Sequence, residues 1–184
     1  MRLLRHDSRS VPCRYRKVNS PSSMRIIRLT NDTIQELVSE KKSVPAGLTS
    51  PHKGMTVRNG HYQKSYDIIC PSGNEFVIKL RRTVVNPLNF SVILGYRLPG
   101  SFTIFRLRRY NSKHIHTNVL ENERFHDFHI HLATERYQRA GFDEDAYAER
   151  TQNHWDFATA IERLLNDCGF ASPFSDTPLF KGIE

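Results

Sequence analysis

The chain has 184 residues, 38% hydrophobic and 25% charged, which suits one buried core and is short for two full domains. No apolar run approaches the roughly 20 residues of a membrane span, and no apolar segment follows the N-terminal charges as in a signal peptide, so a cytoplasmic protein with no membrane partner is expected. The net charge of +8 is unevenly spread, with six of the 27 Lys/Arg and one of the 19 Asp/Glu in residues 1–23, so any nucleic-acid argument rests on where the other cations sit.

Residues 1–23 have little hydrophobic periodicity and end in Asn19-Ser-Pro-Ser-Ser23. They read as a disordered basic tail or as an over-extended start, since Met24 opens a more protein-like sequence. Residues 24–184 read as a single α+β domain. Its first element is a helix beginning near residue 30, where Thr30 and Asn31 offer caps, Lys41 and Lys42 lie near the end, and Pro45 and Gly47 stop it. A loop over 45–62 follows.

From residue 65 the pattern turns to strands. Segments 65–70 and 75–82 flank Pro71-Ser-Gly-Asn74, and segments 90–97 and 101–110 flank Leu98-Pro-Gly100, two hairpin signals. A linker over 111–127 leads to a strand over 128–134. A helix over 153–168 closes the pattern, with Trp155, Ala158, Ile161, Leu164, Leu165 and Cys168 on one stripe and Gly169 as its stop. The expected fold is therefore an antiparallel sheet of about five strands with an N-terminal and a C-terminal helix packed on one face. Cys13, Cys70 and Cys168 are far apart and in no Cys-x-x-Cys pattern, which argues against a disulfide framework and fits a reducing compartment.

The most informative feature is a cluster of histidines. Five of nine fall within eighteen residues, as His114-Ile-His116 and His126-Asp-Phe-His129-Ile-His131. Imidazole titrates near neutral pH and is the commonest metal ligand. Strand alternation sets His129 and His131 opposite Ile130 and Leu132. If the apolar sets face the helices, Lys79, Arg81, Arg106, Arg108, His129 and His131 share the other, solvated face. Such a face suits metal-independent RNA cleavage. A neutral histidine takes the 2′-hydroxyl proton, a protonated one supplies the leaving group, and an arginine stabilises the phosphate.

On that reading the catalytic candidates are His116, His129, His131 and Arg108, with Tyr137 and Glu135 as acid, base or positioning groups. Lys79, Arg81, Arg106 and Arg109 are candidates for nucleic-acid contact. No cofactor is needed and no metal ligand is assigned. Two other readings stand beside it. One is a non-catalytic nucleic-acid- or protein-binding module. The other is a cupin-like metal site, because His114-x-His116-x₄-Glu121 and His129-x-His131-x₃-Glu135 have related ligand spacing without that motif's glycines.

The steps Leu107-Arg108-x₇-His116-Thr117-Asn118, His129-Ile130-His131 and Glu135-x-Tyr137 resemble a group of small bacterial proteins with a C-terminal His-x-Asn and His-x-His signature. They are also similar to the TumE-like toxins of toxin–antitoxin pairs. Here Arg109-Tyr110 stands where those toxins have Trp-Asp/Asn, and Phe128 precedes the His-x-His strand where they have Pro-His. The resemblance implies a small ribonuclease-type toxin with a cognate antitoxin as partner, and Arg108, His116, His129 and His131 as matching positions.

Overall fold

The computed structural model describes residues 28–48 and 53–171, so the expectation for residues 1–23 falls outside the described residues. Seven strands form one sheet in chain order, every pair antiparallel: β1 (Thr56–Arg58), β2 (His61–Ile69), β3 (Glu75–Thr83), β4 (Phe90–Arg97), β5 (Ile104–Asn118), β6 (Glu123–Leu132) and β7 (Tyr147–Arg150). Among the described residues three short helices accompany them: α1 (Asn31–Ser39) before the sheet, α2 (Glu135–Arg139) between β6 and β7, and α3 (Phe157–Asp167) after it. With 43% strand against 18% helix the fold is mainly β, which corrects the expected α+β layer of about five strands. Among the described residues no helix is long and apolar enough to cross a membrane.

The extra strands are ones that periodicity could not reveal. β1 has three residues, all exposed, and β7 only four in all, so neither carries enough alternation to stand out. A larger correction concerns residues 111–127. They are no linker: β5 runs unbroken to Asn118, and β6 starts at Glu123 after a four-residue turn in which Asn122 takes a left-handed φ of 52°. Asn is among the residues that tolerate that conformation, so the turn chemistry was present but short.

One face of the sheet carries the core. Phe76, Ile78 and Leu80 of β3, Val92 and Leu94 of β4, and Leu107 and Tyr110 of β5 pack with Ile34, Leu37 and Val38 of α1 and Ile161, Leu164 and Leu165 of α3. Each helix begins where its cap dictates. Thr30 accepts from the Thr33 N–H, and Asp156 and Thr159 form a reciprocal capping box that starts α3 at Phe157. Trp155 therefore lies ahead of the helix and 61% exposed, not on its buried stripe.

Two single-residue bulges in β5 set which side chains reach the opposite face. Across β4, Leu94 pairs with Arg108 and Gly95 with Arg106, so Leu107 is the extra residue. Across β6, Asn111 pairs with His129 and His114 with Asp127, so one residue is extra between them. Because strand side chains alternate, each insertion moves everything beyond it to the other face. Arg106, Arg109, Asn111, His114, His116 and Asn118 consequently share one side. Without the second bulge, Lys113 and Ile115 would stand where His114 and His116 do.

Candidate functional site: a buried histidine cluster

The two bulges and the β5–β6 hairpin bring four imidazoles together on the face away from the core. Ring centroids are 4.5 Å apart for His114 and His129, 4.8 Å for His129 and His131, 4.7 Å for His116 and His131, and 5.4 Å for His116 and His129. His126 alternates away and is exposed. The cluster is not on a solvated surface, which corrects the expected placement: His129 is 0% and His131 3% exposed. The α2–β7 connection covers it, the Asp145 carbonyl lying 2.9 Å from His131 Nδ1. His114 stays exposed at its edge.

Backbone carbonyls bear on the tautomers. Ser112 O lies 3.0 Å from His114 Nδ1, Asp127 O 2.7 Å from His129 Nδ1, and Asp145 O 2.9 Å from His131 Nδ1. A carbonyl only accepts, so in His114 and His129 Nδ1–H donates and Nε2 keeps its lone pair. His131 Nδ1 also meets the Arg109 Nη2 donor at 3.0 Å, and its tautomer depends on which of the two partners it serves. His116 is the reverse of His114 and His129. The Asn118 amide is oriented by the Ala148 backbone, its Oδ1 accepting from the N–H at 2.9 Å and its Nδ2 donating to the carbonyl at 2.8 Å. Oδ1 is thus an acceptor, and His116 Nε2, 3.0 Å away, donates to it.

All four rings are held neutral. Burial is the largest cause in each, lowering the pKa of His114 and His116 and taking His129 down to about 3; His131 falls further still, with Arg109 adding to the effect. Near pH 7 the cluster offers lone pairs and bases but no imidazolium.

The arginines divide unexpectedly. Arg108, placed at the phosphate by the sequence, points to the helix-covered face, because it neighbours Arg109, which sits opposite Ile93 and His131. Its charge acts on the Cys168 thiol at the end of α3 instead. The structure thus sets Arg108, one of the positions matched to the toxin pattern, on the other face from the histidines. Arg109 takes the place beside the histidines, its Nη2 3.0 Å from His131 Nδ1 and its Nε 2.9 Å from the Asp145 carboxylate.

Arg106 is similarly engaged, pairing with Glu144 at 3.0 Å and with Asp145 and Asp143 at 3.2 Å. Burial pushes the Asp145 carboxyl up and the Arg109 guanidinium down, while their mutual attraction opposes both shifts. Asp145 was missed by the sequence reading; the acidic run Asp143-Glu144-Asp145 was the available signal, as a counter-charge for the arginines of β5.

Tyr137 and Glu135 have structural partners. Tyr137 is buried on α2 and donates to Glu121, and the Leu120 N–H donates to Tyr137 Oη at 3.4 Å, so the ring secures the β5–β6 turn. The Glu135 carboxylate accepts from the Asn31 N–H at 3.4 Å and pairs with Arg139. Neither cupin-like triad assembles. Glu121 and Glu135 have these other partners, and the ring nitrogens that converge come from His114, His129 and His131, all within 4.8 Å of one another. Lys79 and Arg81 are exposed on the histidine side of β3, and the Arg81 Nη2 lies 3.0 Å from His61 Nε2.

Comparison with protein-family profiles, with curated proteins and with solved structures gave no match.

Proposed function

We propose that the histidine-bearing face binds RNA and cleaves it, with Lys79 and Arg81 contacting phosphates and His114 taking the proton of the attacking 2′-hydroxyl, while the P–O5′ bond breaks and the departing 5′-oxygen takes a proton from solvent water. The observation that supports this reading is the sheet register. Lys79, Ile93, Arg109 and His131 form one row across β3 to β6, and Arg81, Ser91, Asn111 and His129 the next. Two exposed cations without a carboxylate partner among the described residues thus share a face with four imidazoles. At about 4.8 Å per strand, these cations stand roughly 14 Å from the histidines at the backbone, a span that long Lys and Arg side chains narrow toward a neighbouring phosphate.

His114 suits the base because it is neutral and the most accessible ring. His129 and His131 are too buried to meet a substrate directly and act as its support. Arg106 and Arg109 are committed to the acidic loop, so they take no part in phosphate contact. A cytoplasmic setting and a cognate antitoxin belong to the same reading; the free thiols of Cys70 and Cys168 support the first and the motif resemblance the second.

A low-salt RNA assay, run in chelator and with added zinc, tests the reading. His114→Ala is expected to slow cleavage by about 10²–10⁴-fold. Lys79→Ala with Arg81→Ala is expected to weaken binding and to reduce its salt slope by about 1.4, for two contacts to a single strand. Binding without turnover under either condition would favour a non-catalytic module over a nuclease. Absence of low-salt binding would reject both.

A further inference from the structure

We propose that His114, His129 and His131 form a three-histidine site for a divalent transition-metal ion, zinc being the expected occupant, with a fourth position open to water. The site rests on the proposed cleavage and changes its base: with the ion on Nε2 and Nδ1–H on Ser112 O, His114 would have no lone pair left, and hydroxide on the ion would take the 2′-hydroxyl proton in its place. Its metal-binding test stands apart from any RNA assay.

With Nδ1–H of His129 given to Asp127 O and Nδ1–H of His131 given to Asp145 O, both Nε2 atoms carry lone pairs. Yet these two atoms face each other at 3.1 Å. Two lone pairs at that distance repel in a dry interior unless a cation sits against both. The separation is close to that between neighbouring ligands of a tetrahedral ion, about 3.3 Å for metal–nitrogen bonds of about 2.0–2.1 Å.

The third ring has the same arrangement, His114 giving Nδ1–H to Ser112 O at 3.0 Å, with its ligand nitrogen within 4.8 Å of the others. A carbonyl on the non-ligating nitrogen is the usual outer-shell device that orients a metal-bound imidazole.

Three further features fit. Neutral imidazoles are the ligating form, and burial keeps them neutral without prior loss of a proton. A set of nitrogens alone selects zinc, copper, nickel or cobalt over magnesium and calcium, which favour oxygen. His114 is exposed while His129 and His131 are buried, so one edge of the triangle reaches solvent, as three-ligand catalytic sites require for a bound water that ionises near neutral pH. His116 is not a ligand, because its Nε2–H is given to Asn118; it is a packing neighbour of His129 and His131.

One alternative explains the 3.1 Å contact without metal. His131 could carry its proton on Nε2 and donate it to His129, with Nδ1 accepting from Arg109 Nη2 at 3.0 Å. That arrangement leaves His131 Nδ1 and Asp145 O at 2.9 Å as two acceptors, whereas the first leaves Arg109 facing a donor. Metal binding decides between them.

The full-length chain, stripped with a strong chelator, is titrated with Zn²⁺ by calorimetry and with Co²⁺ by visible absorption. One ion per chain and the d–d bands of a four-coordinate nitrogen site are expected. His114→Ala, an exposed position that leaves the core intact, is expected to weaken binding by more than the roughly 10–100-fold typical of losing an outer-shell partner. His126→Ala, on the opposite side of β6, is expected to leave it unchanged.

Absence of stoichiometric binding, or equal affinity in His114→Ala and the parent chain, would overturn the site and leave the His131-to-His129 hydrogen bond as the explanation. Zinc binding without RNA cleavage in any condition would keep the site and reject the proposed nuclease.

Discussion

In the metal-free protein, stability is expected to fall steeply as the pH drops from 7.5 to 5, by about 4 kcal/mol from His129 and His131 together. Both are buried as neutral rings, His129 with its pKa lowered to about 3 and His131 lower still, whereas in the unfolded chain each regains an ordinary value near 6.5. Below that value the unfolded state binds protons that the folded state refuses, so their stabilisation is complete above pH 6.5 and is lost progressively toward pH 3. Each ring contributes up to about 1.4 kcal/mol per pH unit in that window, or about 2 kcal/mol by pH 5. His114, His116 and His154 are shifted the same way by burial and add to the slope. Asp145, raised by its own burial, opposes it only at the acidic end. Urea unfolding in chelator at several pH values reads the effect. His129→Gln should remove about one proton from the slope, and a flat profile, or an unchanged slope in that variant, would show that the rings are not held neutral.

That expectation depends on burial, which is where reading the sequence was weakest. Pro71-Ser-Gly-Asn74 and Leu98-Pro-Gly100 lie between paired strands because turn chemistry is local and carried by a few residues. The faces were harder. Alternation correctly separates His129 and His131 from Ile130, but it does not tell which face another segment will cover. The α2–β7 loop closes over the histidines, and Val77, two residues before Lys79 on the same side of β3, is itself buried.

Bulges are the deeper difficulty. An inserted residue leaves no mark on composition, yet two of them reassign Arg106, Arg108, His114 and His116 between faces. The His-x-Asn step at His116 and Asn118 lies beside the cluster for a reason the sequence does not state: Asn118 stands in for a strand residue against Ala148 while holding the His116 ring.

The largest effect of a single small substitution is expected at Gly169, where Gly169→Ala should destabilise by about 3–5 kcal/mol, the combined scale of a strained left-handed residue and an overpacked contact. Gly169 follows α3 with a φ of +71°, and a Cβ there would fall 2.3 Å from the Glu40 carbonyl oxygen and 2.6 Å from that of Ser39. Both obstacles are backbone, so no rotamer change relieves them. Nor can the α1 terminus simply move aside. The buried Lys42 ammonium donates to Leu37 O and Glu40 O at 2.8 Å, Val38 O at 3.1 Å and Cys168 O at 3.2 Å, tying the carbonyl ends of α1 and α3 to one cation. Lys42 N–H also donates to Gly169 O at 2.9 Å, and Ala171 N–H to Lys42 O at 3.1 Å.

The ammonium lies 4.3 Å from the centre of the Phe76 ring, so the junction is seated on β3 as well. Burial lowers the Lys42 pKa, but four carbonyls and two helix C-termini favour its charge. Because this junction lies on the core face and the histidines on the other, Gly169→Ala should lower the unfolding midpoint while the fraction that remains folded keeps the parent affinity for Zn²⁺ or Co²⁺. A loss below 1 kcal/mol would mean that the α1 and α3 ends separate easily, and that the Lys42 clamp is weaker than three N–H donors shared among four carbonyls imply.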